Sequence, residues 1–254
     1  MCTIVILRRP EHDWPVLIAA NRDEMSDRPW RAPSRHWPER PEIVAGMDEL
    51  AGGSWLGMND HGMTAAILNR EGSLGPADGK RSRGELVLDA LDFADAIEAA
   101  GMLSQLEPTA YRPFNMVLAD NRDVLWLRNR AEDGPGHLEV TPLPDGLSML
   151  TSRELNDIKS PRIAHHLGLF AAAETPDPET GDWMHWRGLL GRVSETEDPG
   201  DGMTIRTDHG FATISSSLIA LPAPGLGQPI WQFADGPPDT HDYHPINDPA
   251  LAVG

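Results

Sequence analysis

Cys2 is the one cysteine of the chain and stands directly behind Met1. Removal of an initiator methionine ahead of a small side chain leaves a free α-amine and a thiol on the same residue. Such an amine has an ordinary pKa of about 8, so near that pH half of it is neutral and able to take the thiol's proton. One residue would then supply both nucleophile and general base. The alternative is a buried thiol that packs as a small apolar group. A working thiol needs a cation to lower its pKa and a carboxylate or carbonyl to orient the amine. Arg22 and Asp23 offer cation and carboxylate side by side, or else form a structural ion pair at a sheet end.

The elements that must bring these residues together are legible as strands and turns. Residues 3–7 read as a strand, 9–13 as a turn and 16–20 as a second strand. A hairpin of that length sets Ala20 to Asp23 opposite the chain start, with Asn21-Arg22-Asp23-Glu24 marking the strand's polar end. Residues 25–42 carry four prolines and four arginines and read as an extended loop or lid. Gly52-Gly53 opens a further hairpin, with strands at 54–58 and 63–69 around a turn at 59–62. Ser82 is placed to cap a helix and Glu85 to close the box. Leu86, Leu88, Leu91, Phe93 and Ile97 follow, with a break near Asp92. Strands are expected at 114–119, 124–128, 137–141, 146–151 and 211–221, and helices at 160–173 and 182–193. The Pro-rich remainder from Gly225 reads as irregular apart from 230–233. Many strands with two groups of helices predict layered packing in one domain, 1–254.

Composition narrows the function class. Hydrophobic content of 40% and charged content of 24% are ordinary for a globular chain. No run approaches the roughly 18 to 20 apolar residues of a membrane span, and no signal-peptide core opens the sequence. A lone cysteine excludes internal disulfides and paired-cysteine metal sites, and predicts a reducing, cytoplasmic home. The net charge of -18 disfavours nucleic acid and anionic membranes as partners. His165-His166 are adjacent on a helix, so their side chains diverge by about 100°. His241-Asp242-Tyr243-His244 has ligand-like residue types but reads as a solvated tail, and no metal site is expected. Eight tryptophans, among them Trp14, Trp30, Trp37 and Trp55, suit either a large flat or acyl ligand or ordinary packing.

Several blocks occur in an order that resembles the NRDE proteins, the transport and Golgi organization 2 family. They are Met1-Cys2, Ala19-Ala20 leading into Asn21-Arg22-Asp23-Glu24, Arg28-Pro29, and Gly52-Gly53-Ser54-Trp55-Leu56-Gly57. Asn69-Arg70, Arg83-Gly84-Glu85-Leu86 and Phe114-Asn115 complete the series. The resemblance implies an α+β, four-layer αββα N-terminal-nucleophile (Ntn) hydrolase-like sandwich, two antiparallel sheets flanked by helices. More distantly the chain is similar to cysteine amidohydrolases acting on penicillin V and conjugated bile salts. That likeness implies Cys2 as nucleophile, Arg22 and Asp23 beside it, and Asn69 as oxyanion donor. By the residues alone, Asn69-Arg70 could equally begin a turn. Asn21, Trp55, Ser152 and Asn115 are implied as substrate contacts.

Two positions depart from the pattern. Ser152 stands where those hydrolases carry a second Asn. The last long strand reads Ala212-Thr213-Ile214 where the family usually reads Gly-Thr-Arg. The expected function is a cysteine hydrolase of a linear amide or acyl substrate that requires no cofactor. The competing expectation is a carrier on the same fold, binding haem or an acyl thioester without turnover. An interaction protein with a vestigial pocket is the third.

Overall fold

A computed structural model describes residues 2–130, 136–196 and 199–246. The chain divides into two compact units: Met1–Arg28 with Pro144–Ile246, and Pro29–Leu143 with the C-terminal end. The first is therefore built from two stretches that are separated in sequence by the stretch 29–143 of the second.

In the first unit, β1 (Thr3–Arg8) and β2 (Val16–Met25) form the expected hairpin. They join β10 (Gly146–Leu150), β11 (Phe211–Leu221), β12 (Ile230–Ala234) and β13 (His244–Pro245). The sheet is antiparallel in the order β10-β1-β2-β11-β12-β13. Helices α3 (Pro161–Ala172) and α4 (Met184–Leu190) supply its helical layer. Val5, Leu17, Ala19, Met149 and Leu218 from the strands pack with Ile163, Phe170, Trp186 and Leu190 from the helices. Alternation along each strand puts these odd- or even-numbered positions on one face and their neighbours on the other.

The second unit is a seven-stranded antiparallel sheet. Its order is β3 (Trp30–Ser34), β4 (Ile43–Asp48), β5 (Leu56–Asn59), β6 (Thr64–Asn69), β7 (Phe114–Ala119), β8 (Val124–Asn129) and β9 (Glu139–Pro142). Helices α1 (Gly84–Leu91) and α2 (Ala96–Leu103) bury Leu86, Val87, Leu91, Ala99 and Leu103 with Ile43, Ala65, Met116 and Leu127. The break expected near Asp92 is where α1 ends, and Asp95 caps α2 by accepting from the Glu98 N–H at 2.9 Å.

Four expectations are corrected. Asn21-Arg22-Asp23-Glu24 does not end a strand but runs through the middle of β2's second half, paired on both sides as far as Asn21 and with β11 to Met25. Residues 25–42 are not all loop: β3 lies there, an edge strand that tolerates Pro33 because an edge can spare a ladder N–H. The box at Ser82 does not form, and the residue that precedes α1 is Arg83, with no side-chain cap. Ser82 Oγ accepts from the Gly84 N–H at 3.3 Å, while Glu85 turns to Arg81 at 2.7 Å. The tail is not merely solvated, because Tyr243 shares a 2.6 Å hydrogen bond with Ser216 and His244 pairs with Phe233.

Candidate active site

The hairpin register decides what meets the nucleophile. Thr3 pairs with Asn21 and Ile4 with Leu150. Continuing the hairpin register one residue past Thr3–Asn21 brings Cys2 toward Arg22, while Ser152 lies two residues past the end of β10. Thr213 pairs with Asp23 and Ser215 with Arg22, so Ile214 is the extra residue of a β-bulge. Bulges re-aim side chains, and this one sits on the strand facing the candidate residues.

Two layers result. Arg22 and Ser215, paired across β2 and β11, share the face turned away from α3 and α4. Arg22, Ser152 and Ser215 are buried, at 6%, 3% and 1% exposure. Asn21 and Asp23 project to the helical side. Asp23 Oδ2 accepts from Arg162 Nη1 at 2.9 Å, and both side chains are sealed from solvent at 0% and 1% exposure. Asp23 Oδ1 accepts from the Thr213 hydroxyl at 2.6 Å, and that hydroxyl in turn accepts from the Ile205 N–H at 2.9 Å. Arg162 Nη1 also donates to Thr3 Oγ1. Asp23 touches the nucleophile through its backbone: its carbonyl accepts from Cys2 Sγ at 3.6 Å.

Burial pushes the Cys2 thiol's pKa up, and the Asp23 carboxylate adds to the effect. The hydrogen bond to Asp23 and the Arg22 guanidinium oppose it without reversing it. The lowering expected from a neighbouring guanidinium is thus outweighed.

Asn21 has a structural occupation. Its Nδ2 donates to the carbonyls of Leu190 and Met203 at 3.0 and 2.9 Å, and its Oδ1 accepts from Ser216 at 2.6 Å. These bonds tie the end of α4 to β2.

Asn69, Trp55 and Asn115 belong to the second unit. Asn69 ends β6 opposite Phe114, half-buried, and its side chain makes no hydrogen bond among the described residues. Asn115 is fully buried; its Oδ1 accepts from Arg70 Nη1 at 2.8 Å and Trp126 Nε1 at 3.2 Å. Trp55 meets Trp30 edge to face at 5.8 Å and lies across Gly46. No cluster of three or more His, Cys, Asp and Glu suited to a metal ion occurs among the described residues.

Arg162 escaped sequence reasoning. A signal was present: it shares one helical stripe with Ile163, His166 and Phe170, all buried. An arginine on an apolar stripe must have a buried partner.

Residues 1–200 match the family described as Transport and Golgi organisation 2. The mouse Transport and Golgi organization 2 homolog is 32% identical over 167 residues, covering 58% of this chain and 56% of that protein. The Bos taurus homolog is 33% identical over 169 residues, with the same coverage. The match thus spans little more than half the length of these curated relatives. Among solved structures, a Caenorhabditis elegans N-acylethanolamine-hydrolyzing acid amidase ortholog aligns over 88% of this chain and 94% of its own, at 14% identity and a TM-score of 0.56. A variant of the conjugated bile acid hydrolase from Clostridium perfringens aligns over 99% and 98%, at 12% identity and 0.51. At such identities the likeness is one of fold, and it gives these two antiparallel sheets and four helices the α+β Ntn-hydrolase-like class. With the match running over residues 1–200, well over half of its length, the chain belongs to the Transport and Golgi organisation 2 family.

Proposed function

We propose that this protein is a cysteine hydrolase of linear amides, with Cys2 as its N-terminal nucleophile in reducing, cytoplasmic surroundings. The observation that carries the reading is the placement of the Cys2 thiol at the head of a central strand. It lies on the Asp23 carbonyl, above a carboxylate sealed between Arg162 and Thr213. With Met1 removed, the α-amine of Cys2 takes the thiol proton as Sγ bonds to the substrate carbonyl carbon. Collapse of the tetrahedral adduct breaks the C–N bond, and the leaving amine carries that proton away. Water then cleaves the thioester, releasing the carboxylic acid and restoring the thiol. A thiol whose pKa is pushed up by burial gains most from a base held on its own residue.

The test is intact-mass spectrometry followed by a panel of N-acyl amides with fatty and aromatic acyl groups. The expected results are a mass without Met1, a transient acyl adduct, and turnover that falls at least about 100-fold in Cys2→Ala. Retained Met1, or turnover indifferent to Cys2→Ala, sinks the reading. A second reading is a carrier of haem or an acyl thioester, favoured by Ile214, an aliphatic residue at the bulge where the family pattern has a cation. It predicts saturable haem binding with a Soret band, or acyl-thioester binding, and no amide turnover in a protein lacking Met1.

A further inference from the structure

The family pattern leads one to expect a cation on the last long strand, and Ile214 occupies that place. Nevertheless the carboxylate beneath the nucleophile has its counter-charge. It comes from α3, a different element, through Arg162. Three contacts tie this side chain and its carboxylate into the sheet. Nη1 donates to Asp23 on β2 at 2.9 Å and to Thr3 on β1, the residue next to Cys2. Thr213 on β11 closes the other carboxylate oxygen at 2.6 Å. Nη1 carries two N–H donors, so this one nitrogen of the guanidinium can reach acceptors on both neighbouring strands at once.

We infer that Arg162 is the positioning residue of the Cys2 site, neutralising Asp23 and fixing the strand that begins with the nucleophile. The inference rests on the hydrolase reading above. Arg162 lies under the sheet, on the helical side, and touches no reacting atom. Its action passes through Asp23, whose carbonyl receives the thiol, and through Thr3, whose backbone carries Cys2. Removing the guanidinium takes a positive charge away from a carboxylate whose charge already disfavours the Cys2 thiolate. In turnover the loss falls on kcat and leaves KM near its original value.

The experiment follows labelling of Cys2 by iodoacetamide across pH, read by intact mass, in the full-length protein and in Arg162→Met and Arg162→Lys. Thermal melting in the same buffers reports folding. Arg162→Met is expected to raise the midpoint of the labelling profile by about one pH unit, roughly tenfold slower labelling below it. Arg162→Lys keeps a charge but not the guanidinium and moves the midpoint about half as far. It carries the test if Arg162→Met fails to fold. A folded variant with an unchanged or lowered midpoint overturns the proposal, since a purely structural role moves only the melting temperature. Labelling needs no substrate. A raised midpoint without amide turnover therefore sinks the hydrolase reading alone, and turnover with an unmoved midpoint sinks this proposal alone.

Discussion

The candidate residues fall into two groups once it is asked whether a side chain is occupied. Asn21 spends its amide on two carbonyls and a hydroxyl, and Asn115 accepts from an arginine and a tryptophan. Asn69, of the same type, makes no side-chain hydrogen bond among the described residues. The two candidate asparagines of the second unit, Asn69 and Asn115, should therefore separate on substitution. Asn115→Ala takes the acceptor from the buried Trp126 indole and from Arg70, and should lower the unfolding free energy by about 2 to 3 kcal/mol. Asn69→Ala should stay within about 0.5 kcal/mol of the parent. Urea unfolding of both variants checks this; equal losses would make Asn69 a structural residue like its neighbour.

Among the elements, the motif blocks of the second unit turn out to hold one another. Ser54 N–H donates to the Gly84 carbonyl at 3.0 Å, and a Cβ on Gly53 would come within 2.4 Å of the Gly84 carbonyl carbon. The hairpin opened by Gly52-Gly53 and the helix opened at Gly84 thus meet backbone to backbone, which only glycine allows. Arg83 reaches back to the Ser73 and Pro113 carbonyls at 2.8 and 3.0 Å, locking the entry of β7. Gly46 is as constrained, since a methyl there would lie 2.2 Å from the Trp55 ring. Gly46→Ala should cost about 1 to 3 kcal/mol by overpacking and shift the tryptophan emission as the Trp30–Trp55 pair is displaced. A melt and emission spectrum identical to the parent's would show that the ring is free to move aside. The strands around these blocks were readable from alternation, with β7 and β11 at their expected bounds. β4 was passed over because it lies among prolines, arginines and acidic residues that mask a short apolar run.

For the whole molecule, acid stability should be governed in part by a group away from the nucleophile. His166 is buried on α3; its Nε2–H donates to the Asp201 carbonyl at 2.9 Å, and Nδ1 has no partner among the described residues. Burial lowers its pKa to about 4. The folded protein therefore refuses a proton that the unfolded chain accepts near pH 6.5. Stability from the neutral ring is present above pH 6.5, is lost progressively as pH falls toward 4, and amounts to about 3 kcal/mol in full. Denaturant melts from pH 7 to 4 should show this loss, and His166→Gln should flatten it. An unchanged slope in that variant would assign the acid sensitivity to carboxylates instead.

The order of blocks from Met1-Cys2 to Phe114-Asn115 carried the resemblance to the family and with it the expectation of two antiparallel sheets, although β3, β4 and β13 went unexpected. The blocks are short runs written in the chain, and most of the strands show as alternation. The Arg22-Asp23 pair could also be read there, though not its division between two faces. That division follows from β2 continuing through the polar tetrapeptide, which happens only because buried partners wait for Asn21 and Asp23 in segments more than 130 residues away. A polar run ends a strand when its side chains must keep water, and continues it when tertiary partners replace water. Only the folded chain supplies Arg162 to Asp23, and so only the structure decides what stands beneath the thiol.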